Sequence, residues 1–183
     1  MKNQTILLTA LAAGALCLSG SAFAADPKAS PKPSAASAEL DSQDKDFIME
    51  AAKGGMMEVD MGKMAQQQGK SAEVKKIGKM MVTDHTKANN QLMAIAKKKN
   101  VTVDTSHKMD KMNGTDFDKD YLDQMVKDHD KDIAAFEKEA KNGKDADVKG
   151  FASKTLPTLK KHLQMVKDAQ SKMSNADSTK KSS

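Results

Sequence analysis

Three histidines occupy positions at which they could act together. His85, His129 and His162 each fall on the apolar stripe of a stretch with helical periodicity, where a solvent-facing residue would be out of place. Two of them belong to a repeated motif, because residues 81–87 and 125–131 both read M-V-x-D-H-x-K. A buried imidazole needs a partner, which is another side chain, a buried water or a metal ion. The first functional question is therefore what these three rings bind.

Glu58 is a fourth polar residue on an apolar stripe, in the first helical stretch. Each of the four residues lies near the middle of its predicted helix, roughly 20 to 24 Å from the helix start. Mid-helix positions share one height whichever way the helices run, so we expect one carboxylate and three imidazoles to converge in a single layer. Three nitrogens and one oxygen suit Zn(II), Fe(II), Cu(II) or Mn(II), and the ligand set does not choose among them.

Each copy of the repeated motif also places an aspartate directly before its histidine, at Asp84 and Asp128. We predict that these carboxylates accept hydrogen bonds from neighbouring imidazoles and fix their tautomers, or that they ligate the ion themselves. The alternative is a surface carboxylate paired with a lysine such as Lys87 or Lys131. Glu50, Asp132 and Glu137 are weaker candidates, which a charged helix face explains adequately.

A second group of metal-ligating residues lies between the second and third helical stretches. His107, Met109 and Met112 form an H-x-M-x-x-M pattern. Thioether sulfur combined with imidazole suits Cu(I). Since the chain has 14 methionines, a pattern this short also arises by chance. A copper site built on this pattern is an alternative to the layer of Glu58 and the three histidines.

Four stretches with helical periodicity position these residues, at about 44–68, 71–99, 116–141 and 146–172. Short links join the first two stretches and the last two, which predicts two antiparallel hairpins. Residues 100–115 form a longer connection between the second stretch and the third. The expected fold class is all-α: a four-helix bundle with a long connection between helices two and three, in the up-down-down-up arrangement.

Two adjacent glycines, Gly54 and Gly55, interrupt the first helical stretch. Glycine inside a helix costs about 1 kcal/mol relative to alanine, so the pair needs a structural reason. Reflecting the second stretch through the turn at Gly69 puts His85 opposite the pair. The glycines therefore either leave space for an imidazole or allow two helix backbones to pack closely.

The first residues have the pattern of a secretory signal peptide. Lys2 precedes an apolar run at residues 6–18, and small residues end at Ala24. We predict that residues 1–24 are removed and that the mature protein lies in the bacterial periplasm, with no transmembrane anchor. Cys17, the one cysteine, is lost with the signal, so the mature chain has no disulfide and no thiolate ligand.

Composition sets the remaining domain boundaries and excludes several functions. Residues 25–43 are rich in Pro, Ala, Ser and Lys, so we predict that they form a disordered linker. We also predict that residues 173–183 form a disordered tail. The bundle then comprises residues 44–172. The basic residues are all lysine and there is no tryptophan, so we expect no nucleic-acid partner. No catalytic residue is predicted, because nucleophile, phosphate-loop and dinucleotide motifs are missing from the sequence.

Short segments in all four stretches carry a family resemblance: E-V-D-M-G at 58–62, M-V-T-D-H at 81–85, F-D-K-D-Y at 117–121, D-H at 128–129, and L-P at 156–157 followed by His162. Together they resemble the exported bacterial proteins grouped as domain of unknown function 4142. The resemblance covers about residues 44–172. It implies a ferritin-like four-helix bundle and an envelope location, but no settled activity.

The sequence departs from the di-iron pattern of ferritin-like proteins, which carry a Glu-x-x-His pair on two helices. The residues three positions before the histidines are Val82, Val126 and Leu159. That departure favours a mononuclear site, or none, over oxygen-activating di-iron chemistry.

Three functional hypotheses follow. The first is a periplasmic bundle that binds one transition-metal ion through Glu58, His85, His129 and His162, in metal handling or stress defence. The second is a Met/His copper-binding protein. The third is a non-catalytic envelope stress or interaction protein whose buried histidine layer is structural or responds to acid.

Overall fold

Four α-helices account for most of the residues that the computed structural model describes, which are 39–107, 112 and 116–181. The helices are α1 (Ser42–Gln68), α2 (Ala72–Lys98), α3 (Phe117–Asn142) and α4 (Ala146–Lys181). The described residues contain no strand. The predicted all-α, four-helix bundle is confirmed, whereas the predicted signal peptide lies outside the described residues.

Two apolar clusters at opposite ends of the bundle define the helix directions. The Phe47 cluster joins the start of α1, the end of α2, the end of α3 and the start of α4, through Phe47, Ile48, Leu92, Ala96, Phe136, Val148 and Phe151. The Met81 cluster joins the opposite ends, through Met61, Ala65, Val74, Ile77, Met81, Leu122, Met125 and Val166. Helices α1 and α4 therefore run one way and α2 and α3 the other, which is the up-down-down-up arrangement.

Each helix is antiparallel to both of its main neighbours. Helix α1 packs mainly on α2 and α3 mainly on α4, while α1 also packs on α3 and α2 on α4. Helices α2 and α3 are thus diagonally opposed and parallel. The connection between them has to travel the length of the bundle, which confirms the predicted long connection.

Helices α1 and α2 approach each other most closely at two glycines. A Cβ on Gly62 would lie 2.7 Å from the carbonyl oxygen of Gly78, and a Cβ on Gly78 would lie 2.6 Å from the carbonyl oxygen of Gly62. Both distances are too short for a real contact. The two backbones therefore pack directly against each other, and a side chain at either position would push the helices apart.

Two buried aspartates connect the two hairpins. Asp44, in the first turn of α1, accepts hydrogen bonds from the backbone N–H groups of residues 144–145 at 3.0 and 2.8 Å. Asp118, in the first turn of α3, accepts from the N–H groups of residues 70–71 at 2.8 and 2.7 Å. Each hairpin thereby holds the loop of the other, and we call these contacts the loop braces.

The loop braces belong to an internal repeat, because Asp118 follows Asp44 by 74 positions and loop 144–145 follows loop 70–71 by the same 74. The offset also relates Gly69 to Gly143, which follow α1 and α3 with nearly equal backbone angles: φ −56° and ψ 137° against φ −55° and ψ 143°. The α1–α2 and α3–α4 hairpins are therefore two copies of one unit, related by an approximate twofold axis.

Helix α4 is longer than the sequence predicts. It is a single helix through Pro157 and continues past residue 172 to Lys181. Met173 packs against the Met81 cluster and gives the helix an apolar anchor at this point, and no Gly or Pro follows before Lys181. Residues 173–181, predicted as a disordered tail, are therefore helical. No helix among the described residues has the length and apolar character needed to cross a bilayer.

Candidate metal centre

Three helices bring the three imidazoles together at the centre of the bundle. The ring centroids of His85, His129 and His162 lie 5.3 to 5.5 Å apart, which makes a nearly equilateral triangle. One nitrogen of each ring lies within 4.8 Å of the others. The side chains are 5%, 0% and 1% exposed, respectively. We call this group the histidine triad.

The repeated motif explains why two of the rings share one height. Helices α2 and α3 run in the same direction, so equal motifs at 81–87 and 125–131 place His85 and His129 at equivalent levels. Met81 and Met125, the first residues of the two copies, are both fully buried in the Met81 cluster. His162 reaches the same level from α4, which runs in the opposite direction.

Glu58 adds a buried carboxylate from α1. Its Oε2 lies 2.9 Å from Nδ1 of His85, and its Oε1 lies 3.1 Å from Nδ1 of His129. Neither approach has the alignment of a hydrogen bond, and both Glu58 oxygens lack a hydrogen-bond partner among the described residues. A buried carboxylate without donors is unfavourable, so this side chain is suited to hold a proton or to accompany a cation.

The outer contacts of His129 and His162 indicate which ring nitrogen carries the proton. Nδ1 of His129 lies 3.0 Å from the carbonyl oxygen of Met125, and Nε2 of His162 lies 2.9 Å from Oδ2 of Asp84. Both partners are acceptors, so we infer that these two nitrogens are the N–H donors. The remaining nitrogens, Nε2 of His129 and Nδ1 of His162, then carry lone pairs.

Those two lone-pair nitrogens face each other at 3.3 Å. Two lone pairs at this distance repel unless a cation, either a proton or a metal ion, lies between them. Tetrahedral coordination at about 2.0 to 2.1 Å separates two imidazole nitrogens by about 3.3 to 3.4 Å, so the observed spacing fits a shared metal ion. Nε2 of His85 is a third buried nitrogen, without a hydrogen-bond partner in the described part of the chain.

Burial sets the charge state of the centre. It raises the pKa of Glu58 to about 7 and lowers the pKa of His85 to about 4. Burial also lowers the pKa of His129 and of His162, against the opposing influence of Glu58 on the first and of Asp84 on the second. The three rings are therefore neutral at pH 7, which is the form of imidazole that binds metal ions.

The two motif aspartates have different partners. Asp84 is half-exposed and contacts His162 on the neighbouring helix α4. Asp128 instead accepts two contacts from the side-chain amide of Gln124 on its own helix, at 2.9 and 3.0 Å. Of the two carboxylates predicted to hold imidazoles, Asp84 is the one that the structure brings to a ring.

Two residues of the H-x-M-x-x-M pattern, His107 and Met112, belong to the described part of the chain. His107 directs Nδ1 at the carbonyl oxygen of Thr105, 3.1 Å away, and Nε2 at Oδ2 of Asp60, 2.9 Å away. Met112 packs against the Met81 cluster. Met109 lies outside the described residues. Both ring nitrogens of His107 thus face oxygen acceptors.

The paired glycines accommodate an amide and a carboxylate, and not an imidazole. A Cβ on Gly55 would lie 2.3 Å from Oδ1 of Asn89, whose amide fills the space. A Cβ on Gly54 would lie 3.8 Å from both carboxylate oxygens of Asp132. The side chains nearest to the two glycines are therefore those of Asn89 and Asp132.

Two residues close to the centre were not part of the predicted site. Burial, and then the nearby Glu58, raises the pKa of Asp132 to about 7. Burial and Glu58 also raise the pKa of Tyr121, whose buried hydroxyl has no hydrogen-bond partner among the described residues. One sequence signal was available for Asp132: it follows His129 by three positions and shares its helix face. It is also the equivalent of Glu58 in the internal repeat.

Comparison with known families now identifies the chain. Residues 29–169 match the family described as Domain of unknown function (DUF4142). The protein belongs to this family. The match confirms the resemblance that the sequence motifs indicated. Comparison with curated proteins finds no match.

Several solved structures share the fold of this DUF4142 protein. CopM in the Cu(I)-bound form is 17% identical with a TM-score of 0.64, over 71% of this chain and 96% of that chain. CopM in the apo form is 16% identical with a TM-score of 0.62, over 70% and 96%. A DUF305 fragment from Deinococcus radiodurans is 9% identical with a TM-score of 0.65, over 74% and 99%. Similarity at these identities shows the fold alone.

Proposed function

We propose that this DUF4142 protein binds one transition-metal ion through His85, His129 and His162 and serves in metal handling in the cell envelope. Nε2 of His85, Nε2 of His129 and Nδ1 of His162 are the ligand atoms. Glu58 contacts the opposite nitrogen, Nδ1, of two of the rings. Its role is therefore to orient these rings and to balance the charge of the ion, which differs from the ligand role that the sequence predicted.

The observation that carries the proposal is the pair of facing nitrogens of His129 and His162, 3.3 Å apart. A shared proton is the competing explanation. Burial opposes a shared proton, because burial lowers the pKa of both His129 and His162. A metal ion bound to all three rings also gives a partner to Nε2 of His85, which a proton between the other two would not.

Copper is the first ion to test, and zinc the second. Imidazole ligands suit Cu(II) and Zn(II), and Fe(II) and Mn(II) complete the predicted set. Structures of CopM, which has a similar fold, are described as bound to Cu(I), Cu(II) and silver. The signal-peptide pattern at residues 1–24 supports export to the periplasm, where this function would be performed.

Metal titration of variants of the purified protein tests the proposal. The chain has four histidines, so His107→Ala is a matched control for His85→Ala and His129→Ala. The wild type and His107→Ala should each bind one ion per chain, and the His85→Ala, His129→Ala double variant should bind none. Stoichiometric binding by the double variant would exclude the triad. Loss of Cu(I) binding in His107→Ala would favour the Met/His alternative.

A structural or acid-responsive histidine layer is the competing function, because the same facing nitrogens can share a proton. Thermal melts between pH 5 and 8, with and without a chelator, distinguish the two. A metal-binding protein melts higher with the ion and lower with the chelator. A purely acid-responsive layer changes its melting temperature with pH and ignores the chelator.

A further inference from the structure

A buried centre needs a route by which an ion arrives from solvent, and two faces of the bundle come close to the histidine triad. On the α2–α4 face, a cleft of about 290 Å³ is lined by Asp84, Lys87 and Lys154. On the α1–α3 face, a second cleft of about 270 Å³ is lined by Gly54 and Asp132. We call the second one the Asp132 cleft. The Asp132 cleft is also lined by Met57, Glu50, Lys53 and Lys131.

The carboxylate of Asp132 links this cleft to the centre. The side chain is half-buried and forms no hydrogen bond or ion pair with any other described residue. It interacts electrostatically with both Glu58 and His85. In the internal repeat, Asp132 is the equivalent of Glu58, 74 positions later. Its carboxylate lies opposite Gly54, one helical turn before Glu58 on the neighbouring helix.

Gly54 leaves one side of this carboxylate uncovered. A Cβ at this position would be in ordinary contact with both oxygens of Asp132, at 3.8 Å, so a longer side chain would cover them. Glycine inside a helix is unfavourable relative to alanine. The glycine is explained if the carboxylate has to remain open to the cleft.

The opposite face is less suited to a cation. The carboxylate of Asp84 is engaged by Nε2 of His162, and two lysines, Lys87 and Lys154, line the same cleft. In the Asp132 cleft, Glu50 and, above its raised pKa of about 7, Asp132 balance Lys53 and Lys131, and no described residue donates a hydrogen bond to the Asp132 carboxylate. A cation is therefore attracted more strongly to the α1–α3 face near the centre.

We propose that the Asp132 cleft is the route by which the metal ion reaches the histidine triad, with Asp132 as the first carboxylate that it contacts and Glu58 as the second. This inference rests on the proposed function, since it presupposes a metal at the triad. Asp132 is a positioning residue on the route and not a ligand of the bound ion. It speeds both uptake and release and leaves the affinity unchanged.

Rapid-mixing measurements of metal uptake at pH 8, where Asp132 is ionised, test this route. The chain has one tyrosine and no tryptophan, so the fluorescence of Tyr121, which is buried close to Glu58, reports Cu(II) arrival by quenching. Release is followed by mixing the loaded protein with excess EDTA. The variants are Asp132→Asn, which removes the charge, and Gly54→Leu, which covers the carboxylate. Asp130→Asn removes an exposed carboxylate two positions away and is the matched control.

The uptake rates of Asp132→Asn and Gly54→Leu should each fall about tenfold or more, as expected for lost electrostatic guidance in a narrow cleft. Because the ion crosses the same barrier in both directions and the bound state is unchanged, the release rates should fall by the same factor. The Kd of both variants and the rates of Asp130→Asn should remain those of the wild type. Wild-type rates in both variants would overturn the route. A faster release with weaker affinity in Asp132→Asn would also overturn it, because Asp132 would then be a ligand.

The failure of this inference is distinguishable from the failure of the proposed function. If the wild type binds no Cu(II) at the triad, both are overturned. If the wild type and all three variants bind one ion at equal rates, the proposed function stands and the Asp132 route alone is rejected.

Discussion

Asp84 and Asp128 occupy the same position in two copies of one motif, yet they have different partners. Asp84 contacts Nε2 of His162 on the neighbouring helix, whereas Asp128 contacts Gln124 on its own helix. Which neighbour a side chain reaches depends on the rotation of its helix in the bundle, and the motif carries no information about that. The two residues therefore form a natural pair of test and control.

Asp84→Asn should weaken metal binding about 10- to 100-fold, because an amide does not hold the N–H tautomer of His162 as an anion does. Asp128→Asn should bind metal as the wild type does. Competitive titration against a chelator of known affinity measures both. An equal effect of the two substitutions would contradict the assignment of Asp84.

Glu58→Gln should have opposite effects on the metal-free and metal-loaded protein. Burial raises the pKa of Glu58 from 4.5 to about 7 in the folded state, so the folded protein holds this proton more tightly than the unfolded chain. The contribution to stability is present below pH 4.5 and is lost as the pH rises to about 7. Glutamine avoids the loss, and the metal-free variant should melt about 4 °C or more above the wild type at pH 8.

The two proteins should have similar melting temperatures near pH 4.5, and the melting-temperature increase caused by metal should shrink in the variant. His85 contributes in the opposite sense, because burial lowers its pKa to about 4 and its stabilisation is lost as the pH falls from 6.5. The wild type and Glu58→Gln share this contribution of His85, so the difference between their melting temperatures isolates the contribution of Glu58. A metal-free variant that is less stable than the wild type at pH 8 would contradict the assignment.

At the scale of the helices, the loop braces attach each hairpin to the other. Asp44→Ala and Asp118→Ala each remove two hydrogen bonds from backbone N–H groups to a buried carboxylate. The free energy of unfolding should fall by about 2 to 3 kcal/mol in each variant, as for lost hydrogen bonds to a charged acceptor. Urea unfolding measures the change, with the exposed Asp46→Ala as the control. Metal stoichiometry should not change.

Two glycines in helices should respond to alanine with opposite signs. In Gly78→Ala, the new Cβ would lie 2.6 Å from the carbonyl oxygen of Gly62, so α1 and α2 must separate and stability should fall by about 1 to 3 kcal/mol. In Gly150→Ala, the new Cβ has nothing within 4 Å, and the gain in helix propensity should stabilise by about 0.5 to 1 kcal/mol. Thermal unfolding of both variants provides the comparison, and a stabilising Gly78→Ala would contradict the close helix approach.

The helices could be predicted from the sequence, because each one buries a stripe of apolar residues with a period that only a helix explains. The convergence of the three histidines followed from their mid-helix positions. The internal repeat could not be predicted, since its copies share little beyond an aspartate in the first turn and a glycine after the helix. The motif repeat that can be seen in the sequence, at 81–87 and 125–131, relates α2 to α3, which are diagonally opposed in the bundle. It does not correspond to the twofold axis that relates the two hairpins.

At the scale of the whole molecule, the crossing connection and the twofold arrangement place one polar layer between two apolar clusters. The clusters hold the ends of all four helices together, so the layer of Glu58 and the triad is enclosed by packed side chains on both sides. Unpaired polar atoms are costly in such surroundings. A bound ion would therefore stabilise the folded state as well as give the centre its function.

Anomalous diffraction from crystals of the copper- or zinc-loaded protein tests the metal centre most directly. The expected result is one peak among the rings, at about 2.0 to 2.1 Å from Nε2 of His85, Nε2 of His129 and Nδ1 of His162. A loaded crystal with no ion among these rings, or with its ion held by His107 or by methionine sulfurs, would contradict it.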